Sequence, residues 1–156
     1  MTVSGAVVHE SVRLEGEREL ERSLVALLCS ALATGLSMGF SLIAKGLFHT
    51  YLPTAGWSPL VDNLGYTLGF LLVVLGRQQL FTENTLTVIL PLLTHPNLRT
   101  FMLVARLWAI VLVGNLIGAF LFAAFIAHIS IFSPEIQRSF TEISLKSMQG
   151  ISAHFS

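Results

Sequence analysis

The stretch GRQQLFTENT at residues 76–85 decides the fold. It lies between two apolar segments, LGYTLGFLLVVL at 64–75 and LTVILPLL at 86–93. A continuous transmembrane helix would expose an arginine or a glutamate to lipid near mid-depth, at about 2.5–3.5 kcal/mol or more each. Seven of its ten residues carry polar side chains: Arg77, Gln78, Gln79, Thr82, Glu83, Asn84 and Thr85.

Two arrangements would avoid that cost, and helix length separates them. As helices, the two apolar segments would be about 18 Å and about 12 Å long, so neither crosses a bilayer alone. One alternative is a pair of interfacial helices joined by a surface loop. We favour a broken span, in which two half-helices flank a non-helical loop, because transporters commonly build solute sites this way.

The composition of the chain also indicates a membrane protein. Of its 156 residues 53% are hydrophobic and 12% are charged, with a mean hydropathy of +0.74. A soluble domain carries about 25% charged residues. The net charge is zero and no basic patch with interleaved aromatic residues occurs, so we expect no nucleic-acid partner.

Two further segments are uncharged and long enough to cross a bilayer as helices, residues 24–44 and 107–127. We therefore predict an all-α membrane protein with a broken second span, in contact with lipid. The predicted organisation is a cytoplasmic N-terminal tail or surface helix at 1–23, a membrane domain at 24–130 with spans at about 24–47, 64–93 (broken at 76–85) and 105–128, and an outer connection at 131–156.

Each predicted span contains two glycines four residues apart, which lie on one helix face and let helix backbones approach closely. Three such pairs indicate a tightly packed bundle or an oligomer. The pairs are Gly35–Gly39, Gly65–Gly69 and Gly114–Gly118, with Asn115 beside the last.

The positively charged residues predict an orientation. Arginines precede the first span and flank the connection between the second and third spans, whereas the connection after the first span carries only Lys45. The positive-inside rule then places the N-terminus and residues 94–106 in the cytoplasm. We expect a multi-pass protein of the inner or plasma membrane.

The sequence carries no sign of catalytic or metal chemistry. It has no HExxH motif and no Cys/His cluster, nor a nucleophile–base arrangement or a phosphate-binding loop. We therefore expect no enzyme activity, no cofactor and no metal ion.

The residues at the break resemble the formate/nitrite transporter family. That family interrupts its second span with a glycine followed by a Leu-Phe-Thr motif, which is similar to Gly76, Leu80, Phe81, Thr82 and Asn84 here. The resemblance extends over roughly 23–156 and includes third-span residues Trp108, Gly114, Asn115 and Gly118, and Lys146 in the outer connection.

The resemblance implies an aquaporin-like channel architecture with six spans and a pentamer with one pore in each protomer. The solutes would be small monovalent anions of weak acids, which a lysine attracts and a proton neutralises in a dry constriction. On this analogy Leu80 and Phe81 narrow the pore, Thr82 offers a hydroxyl group, and Lys146 lies at the outer vestibule.

Each of these residues also has a structural interpretation. The alternative for Leu80 and Phe81 is ordinary packing, and for Thr82 and Asn84 it is capping of the second half-helix. Lys146 fits a plain exposed position. For Glu83, we favour an ion pair with Arg77 or Arg106 over a proton relay.

The chain departs from the family pattern in three respects. Three residues rather than two separate Gly76 from Leu80, and Glu83 replaces a small residue, which indicates a divergent branch. Only three of six spans are present, and the second broken helix with its pore histidine is missing. We therefore expect a fragment of a transporter or channel for small anions; the alternative is a non-transporting structural subunit or an inactive truncated family member.

Overall fold

The computed structural model describes residues 4–53, 55–129 and 132–153 and, within them, contains helices and no strands. The predicted all-α membrane class is confirmed. The helices are α1 Gly5–Glu21, α2 Leu24–Tyr51, α3 Ser58–Leu75, α4 Phe81–Thr87, α5 Ile89–Thr94, α6 Leu98–His128 and α7 Pro134–Ala153.

Three of these helices, α2, α3 and α6, are long and apolar enough to cross a membrane. The helix α3 corrects the expectation that neither half of the second span crosses alone. It begins at Ser58 and has 18 residues, about 27 Å of helix. Proline in its first turn explains the early start, because the fixed φ of proline suits that position.

The other two long helices also extend beyond their predicted bounds. The helix α2 continues to Tyr51, and α6 starts at Leu98 instead of near residue 105. The backbone N–H of Thr100 donates to Oδ1 of Asn97 at 2.8 Å, so Asn97 caps the additional turns of α6.

The chain divides into two compact units, of which the first comprises residues 1–35 and 77–120. Its core consists of apolar residues from α1, α2, α6 and the α4–α5 region, and α1 packs against α4 and α5. A Cβ atom at Gly16 of α1 would lie 2.9 Å from Cγ of Pro91. Only glycine therefore fits at this crossing. The buried core residues are Leu20, Leu27, Ala31, Val88, Val104, Leu107 and Val111.

The second unit comprises residues 36–76 and 121–156. Here α3 packs closely on α2, because a Cβ atom at Gly65 would lie 2.7 Å from the backbone nitrogen of Lys45. The hydroxyl of Ser41 donates to the carbonyl of Tyr66 at 2.7 Å and accepts from the N–H of Gly69 at 3.1 Å.

The glycine pairs lie at close helix–helix approaches within the two units. In the first unit, Gly35 faces the backbone of Asn115 and Gly118, and Gly114 faces Ala31. In the second unit, the ring of Phe122 covers Gly39. Small residues at such approaches are what membrane helices use for packing.

Candidate functional site

The break in the apolar segment begins where α3 ends. Gly76 closes the last turn by donating its N–H to the carbonyl of Leu72 at 2.9 Å. The next residue, Arg77, has a φ of 48°. This is the left-handed conformation that glycine usually supplies after a helix, and for other residues it costs about 1–2 kcal/mol. The chain therefore leaves the helix through a strained residue, a feature often found at functional sites.

The side chain of Asn115 on α6 holds the loop after the break. Its Oδ1 accepts the N–H of Phe81 at 3.0 Å, and its Nδ2 donates to the carbonyls of Gln79 and Ala31, each at 2.9 Å. The Asn115 amide thus bonds to the N–H that ends the loop and to a carbonyl within the loop, and it also joins the loop to α2. This is how irregular backbone becomes tolerable at membrane depth.

A second amide, Gln79, is 5% exposed and lies at the centre of the loop. Its backbone N–H donates to Oγ of Ser30 at 3.0 Å, and its side chain donates to the Glu19 carboxylate at 2.8 Å. The Oε1 of Gln79 accepts from Nδ2 of Asn84 at 2.7 Å. The loop is therefore fixed to α2 and to the N-terminal helix α1 at once.

The start of α4 differs from the prediction. The helix begins at Phe81, its N-cap position is Leu80, and no side chain in the local sequence caps it. Neither Thr82 nor Asn84 is the cap, because both lie inside the helix. Asn115, which lies on α6 of the same unit, caps α4 instead by accepting the N–H of Phe81.

Asn84 and Trp108, both part of the sequence resemblance, meet in the structure. The indole Nε1 of Trp108 donates to the carbonyl of Asn84 at 3.2 Å, and the Asn84 side chain is 4% exposed. The two residues fasten α4 to α6. Their role in this structure is to position the loop.

The remaining predicted pore residues divide into a half-buried and an exposed group. Phe81 packs against the core of the first unit, and Leu80 is half-buried. Thr82 and Glu83 are exposed. In the part of the chain that the structure describes, Gln78 has a buried Oε1 atom without a hydrogen-bond partner. Of the predicted pore residues, Thr82 and Glu83 are thus the exposed ones, and Leu80 is half-buried beside them.

The predicted ion pair of Glu83 is wrong for the described residues. Neither Arg77 nor Arg106 lies within ion-pair distance of it. Arg106 instead donates to the carbonyl of Arg22 at 3.0 Å, where the chain leaves α1. The carboxylates that interact electrostatically with Glu83 are those of Glu15 and Glu19 on α1.

The predicted vestibule residue, Lys146, lies in the second unit. It is an exposed residue of α7 that lines a cavity of about 850 Å³ together with Lys45 and His49. No group of three metal-ligating side chains occurs in the described residues.

These features define an integral membrane protein in which a polar, hydrogen-bonded loop interrupts an apolar segment. A sequence model of the formate/nitrite transporter family matches residues 6–155 of this chain, and the chain belongs to that family.

Three relatives illustrate the match. The inner membrane protein YfdC of Escherichia coli is 46% identical over 142 residues, which are 91% of this chain and 46% of that protein. The formate-nitrite transporter of Plasmodium vivax is 32% identical over 68% of this chain and 36% of its own. The formate channel FocA of Haemophilus influenzae is 31% identical over 60% of this chain and 34% of its own. The chain spans less than half the length of these relatives, and no solved structure matches it.

Proposed function

We propose that the chain forms the part of a transport pore that contains one broken-span loop, and that the pore conducts small monovalent anions such as formate. The observation that carries this proposal is the network around Asn115 and Gln79, which holds non-helical backbone between apolar helices. A helix that served only for packing would need no such loop. The family membership and a relative named as a formate channel support the choice of solute.

The complete pore is part of the proposal. We infer an oligomer, by resemblance a pentamer, in the inner or plasma membrane with the N-terminus in the cytoplasm. The native and denatured masses of the complex, extracted from its own membrane in mild detergent, test this assembly. A five-fold complex supports it, and a monomer contradicts it.

The transport role is tested by substitutions at the loop. The complex is reconstituted into liposomes, and uptake of [¹⁴C]formate is compared for wild type, Leu80→Ala and Phe81→Ala. A constriction formed by these residues predicts changed uptake in both variants. Leu116→Ala is the matched control, because Leu116 on α6 is 61% exposed; its uptake should equal that of the wild type.

The second candidate is a non-transporting structural subunit, favoured by the close glycine approaches. It predicts that the loop variants leave uptake unchanged and reduce assembly instead. No uptake above that of empty liposomes in the wild type would contradict the transport proposal.

Glu83 bears on the selectivity of the proposed pore. It is an exposed carboxylate at the loop, with Glu15 and Glu19 close enough to interact with it. A negative charge there opposes an approaching anion. In the same liposome assay Glu83→Gln is therefore expected to increase formate uptake, and Glu83→Asp, which keeps the charge, is not.

A further inference from the structure

A group of arginine side chains lies where the N-terminal helix α1 meets the membrane helix α2, and the proposed pore does not use it. Residues 18–24 and 98–106, all in the first unit, together contain four arginines and two glutamates. This surface therefore carries an excess of positive charge. The arginines of this group that form no ion pair among the described residues are Arg18, Arg99 and Arg106.

Hydrogen bonds from Arg106 bring the two segments together. Its Nη2 donates to the carbonyl of Arg22 at 3.0 Å and to the carbonyl of Leu20 at 3.5 Å. Both carbonyls lie at the C-terminal end of α1, where helical N–H donors are lacking. These bonds hold the guanidinium group of Arg106 in place, and among the described residues its Nε and Nη1 have no acceptor.

Two further guanidinium groups lie on the same surface. By their spacing, Arg99, Leu103 and Arg106 share one face of α6, and Leu103, between the two arginines, packs against the core of the first unit. Nη1 of Arg22 lies 3.1 Å from Oε2 of Glu19, while its Nε and Nη2 have no acceptor among the described residues. Unused N–H groups of three arginines thus surround the end of α1.

The apolar runs of the sequence place these arginines at the boundary of the hydrocarbon layer. The uncharged run 24–44 begins just after Arg22, and the uncharged run 107–127 begins directly after Arg106. As a helix each run is about 31 Å long, which matches the hydrocarbon thickness of about 30 Å. The guanidinium groups therefore lie at the level of the lipid headgroups, where basic side chains meet phosphate groups.

Exposed apolar side chains adjoin the arginines on both helices. Leu24 and Val25 in the first turn of α2, and Met102 between the arginines of α6, are each more than half exposed. An acyl chain would cover these side chains, whereas a soluble phosphate ion would leave them uncovered. The combination of charged and apolar groups thus favours a lipid as the ligand.

We propose that Arg22, Arg99 and Arg106 form a binding site for the phosphate of an anionic phospholipid such as phosphatidylglycerol. A guanidinium group matches a phosphate with two parallel N–H···O bonds. Phosphatidylethanolamine is a poorer ligand, because its ammonium group is repelled by the excess of arginines over glutamates. None of the three arginines belongs to the loop at 76–85, and the site does not depend on the proposed pore.

Native mass spectrometry tests the site on the purified complex in detergent, titrated with phosphatidylglycerol or phosphatidylethanolamine at constant ionic strength. We expect the wild type to bind phosphatidylglycerol at least fivefold more tightly than phosphatidylethanolamine. Arg99→Gln and Arg106→Gln should each weaken phosphatidylglycerol binding about fivefold, the ratio that corresponds to about 1 kcal/mol per basic residue at a membrane surface. Binding of phosphatidylethanolamine should not change.

Arg138→Gln is the matched control, because it removes an exposed arginine of α7 in the second unit. It should bind phosphatidylglycerol like the wild type. Arg99 is exposed and forms no ion pair among the described residues, so Arg99→Gln remains informative even where Arg106→Gln does not fold. Three results would overturn the site: equal affinity of the wild type for both lipids, wild-type affinity in Arg99→Gln, or an equal loss in Arg138→Gln.

Inorganic phosphate distinguishes a lipid from a soluble anion as the ligand. Ammonium phosphate, added at the concentration of phosphatidylglycerol, should leave the bound lipid in place, because it cannot cover Leu24 and Val25. Displacement of the lipid by phosphate would overturn the lipid assignment and indicate a site for a soluble anion.

Discussion

Replacing Asn115 with alanine should destabilise the protein more than any neighbouring change on α6. The substitution removes three hydrogen bonds, to Phe81, Gln79 and Ala31. Ala31 lies inside α2, where the helix itself supplies another donor to its carbonyl. The carbonyl of Gln79 has no such substitute because it lies in the non-helical loop, and the N–H of Phe81 has none because it is at the first position of α4, where no helical carbonyl can accept it.

The magnitude follows from these two groups. An unsatisfied buried backbone group costs about 1–3 kcal/mol, which gives about 2–6 kcal/mol for the pair. Hydrogen bonds between membrane helices average only about 0.6 kcal/mol, because the unfolded state in the membrane finds other partners. That lower value applies to bonds between helices whose backbone N–H and C=O groups are already hydrogen-bonded within each helix. We therefore expect a loss of about 2–4 kcal/mol for Asn115→Ala.

The assay is unfolding by SDS in mixed micelles, followed by tryptophan fluorescence. The chain has two tryptophans. Trp57 is 47% exposed, and Trp57→Phe leaves Trp108 as the reporter, bonded to α4. Leu116→Ala in the same background is the control and should change stability by less than about 0.5 kcal/mol. An equally small effect of Asn115→Ala would refute the conclusion that this side chain holds the loop.

Three further predictions concern α1 and the turn after α3. Gly16→Leu should release α1 from the α4–α5 region, because a Cβ atom has no space there, and limited proteolysis should then cut α1 faster. Gly5→Leu is the control, since Gly5 lies in open space, and it should be cut at the wild-type rate. Equal cleavage rates for the two variants would contradict the packing of α1. Arg77→Gly should raise stability against SDS by about 0.5–1 kcal/mol, because glycine adopts the positive φ of this position without strain. Arg77→Ala keeps a Cβ atom and should not raise stability. A loss of stability in Arg77→Gly would contradict backbone strain at this residue. The hydrogen bond from Arg13 lowers the pKa of Glu10 below its ordinary 4.5, so this pair stabilises α1 above pH 4.5 and the contribution is lost as pH falls through the lower pKa. Circular dichroism of a peptide spanning residues 4–22 should show helicity falling in that acid range and a weaker fall for Arg13→Gln; identical profiles would count against the pair.

The sequence was sufficient for the features that depend on local pattern. The uncharged runs predict helices α2 and α6, and the polar residues inside an apolar segment predict the break near Gly76. The glycine spacing indicates close helix approaches, which Gly35 and Gly114 show within the first unit. Each of these depends on residues within a few turns of one another, where spacing alone determines which side chains share a helix face.

The rest could not be predicted because it depends on residues far apart in the chain. Asn115 and Phe81 are 34 residues apart, and Gln79 and Glu19 are 60 residues apart. The prediction that Thr82 or Asn84 caps α4 assumed that a helix is capped by a residue near its own start. In the structure the cap comes from Asn115 on α6.

The polar residues in and around the loop therefore fall into two groups with different tasks. The side-chain amide of Asn115 bonds to backbone groups, that of Asn84 donates to Gln79, and that of Gln79 donates to the Glu19 carboxylate, so their hydrogen-bonding capacity is largely used by the protein. Thr82 and Glu83 are exposed, and neither holds the loop through its side chain. In the proposed pore, a carboxylate in place of a small residue at Glu83 would change the charge presented to a solute and leave the hydrogen bonds that hold the loop intact.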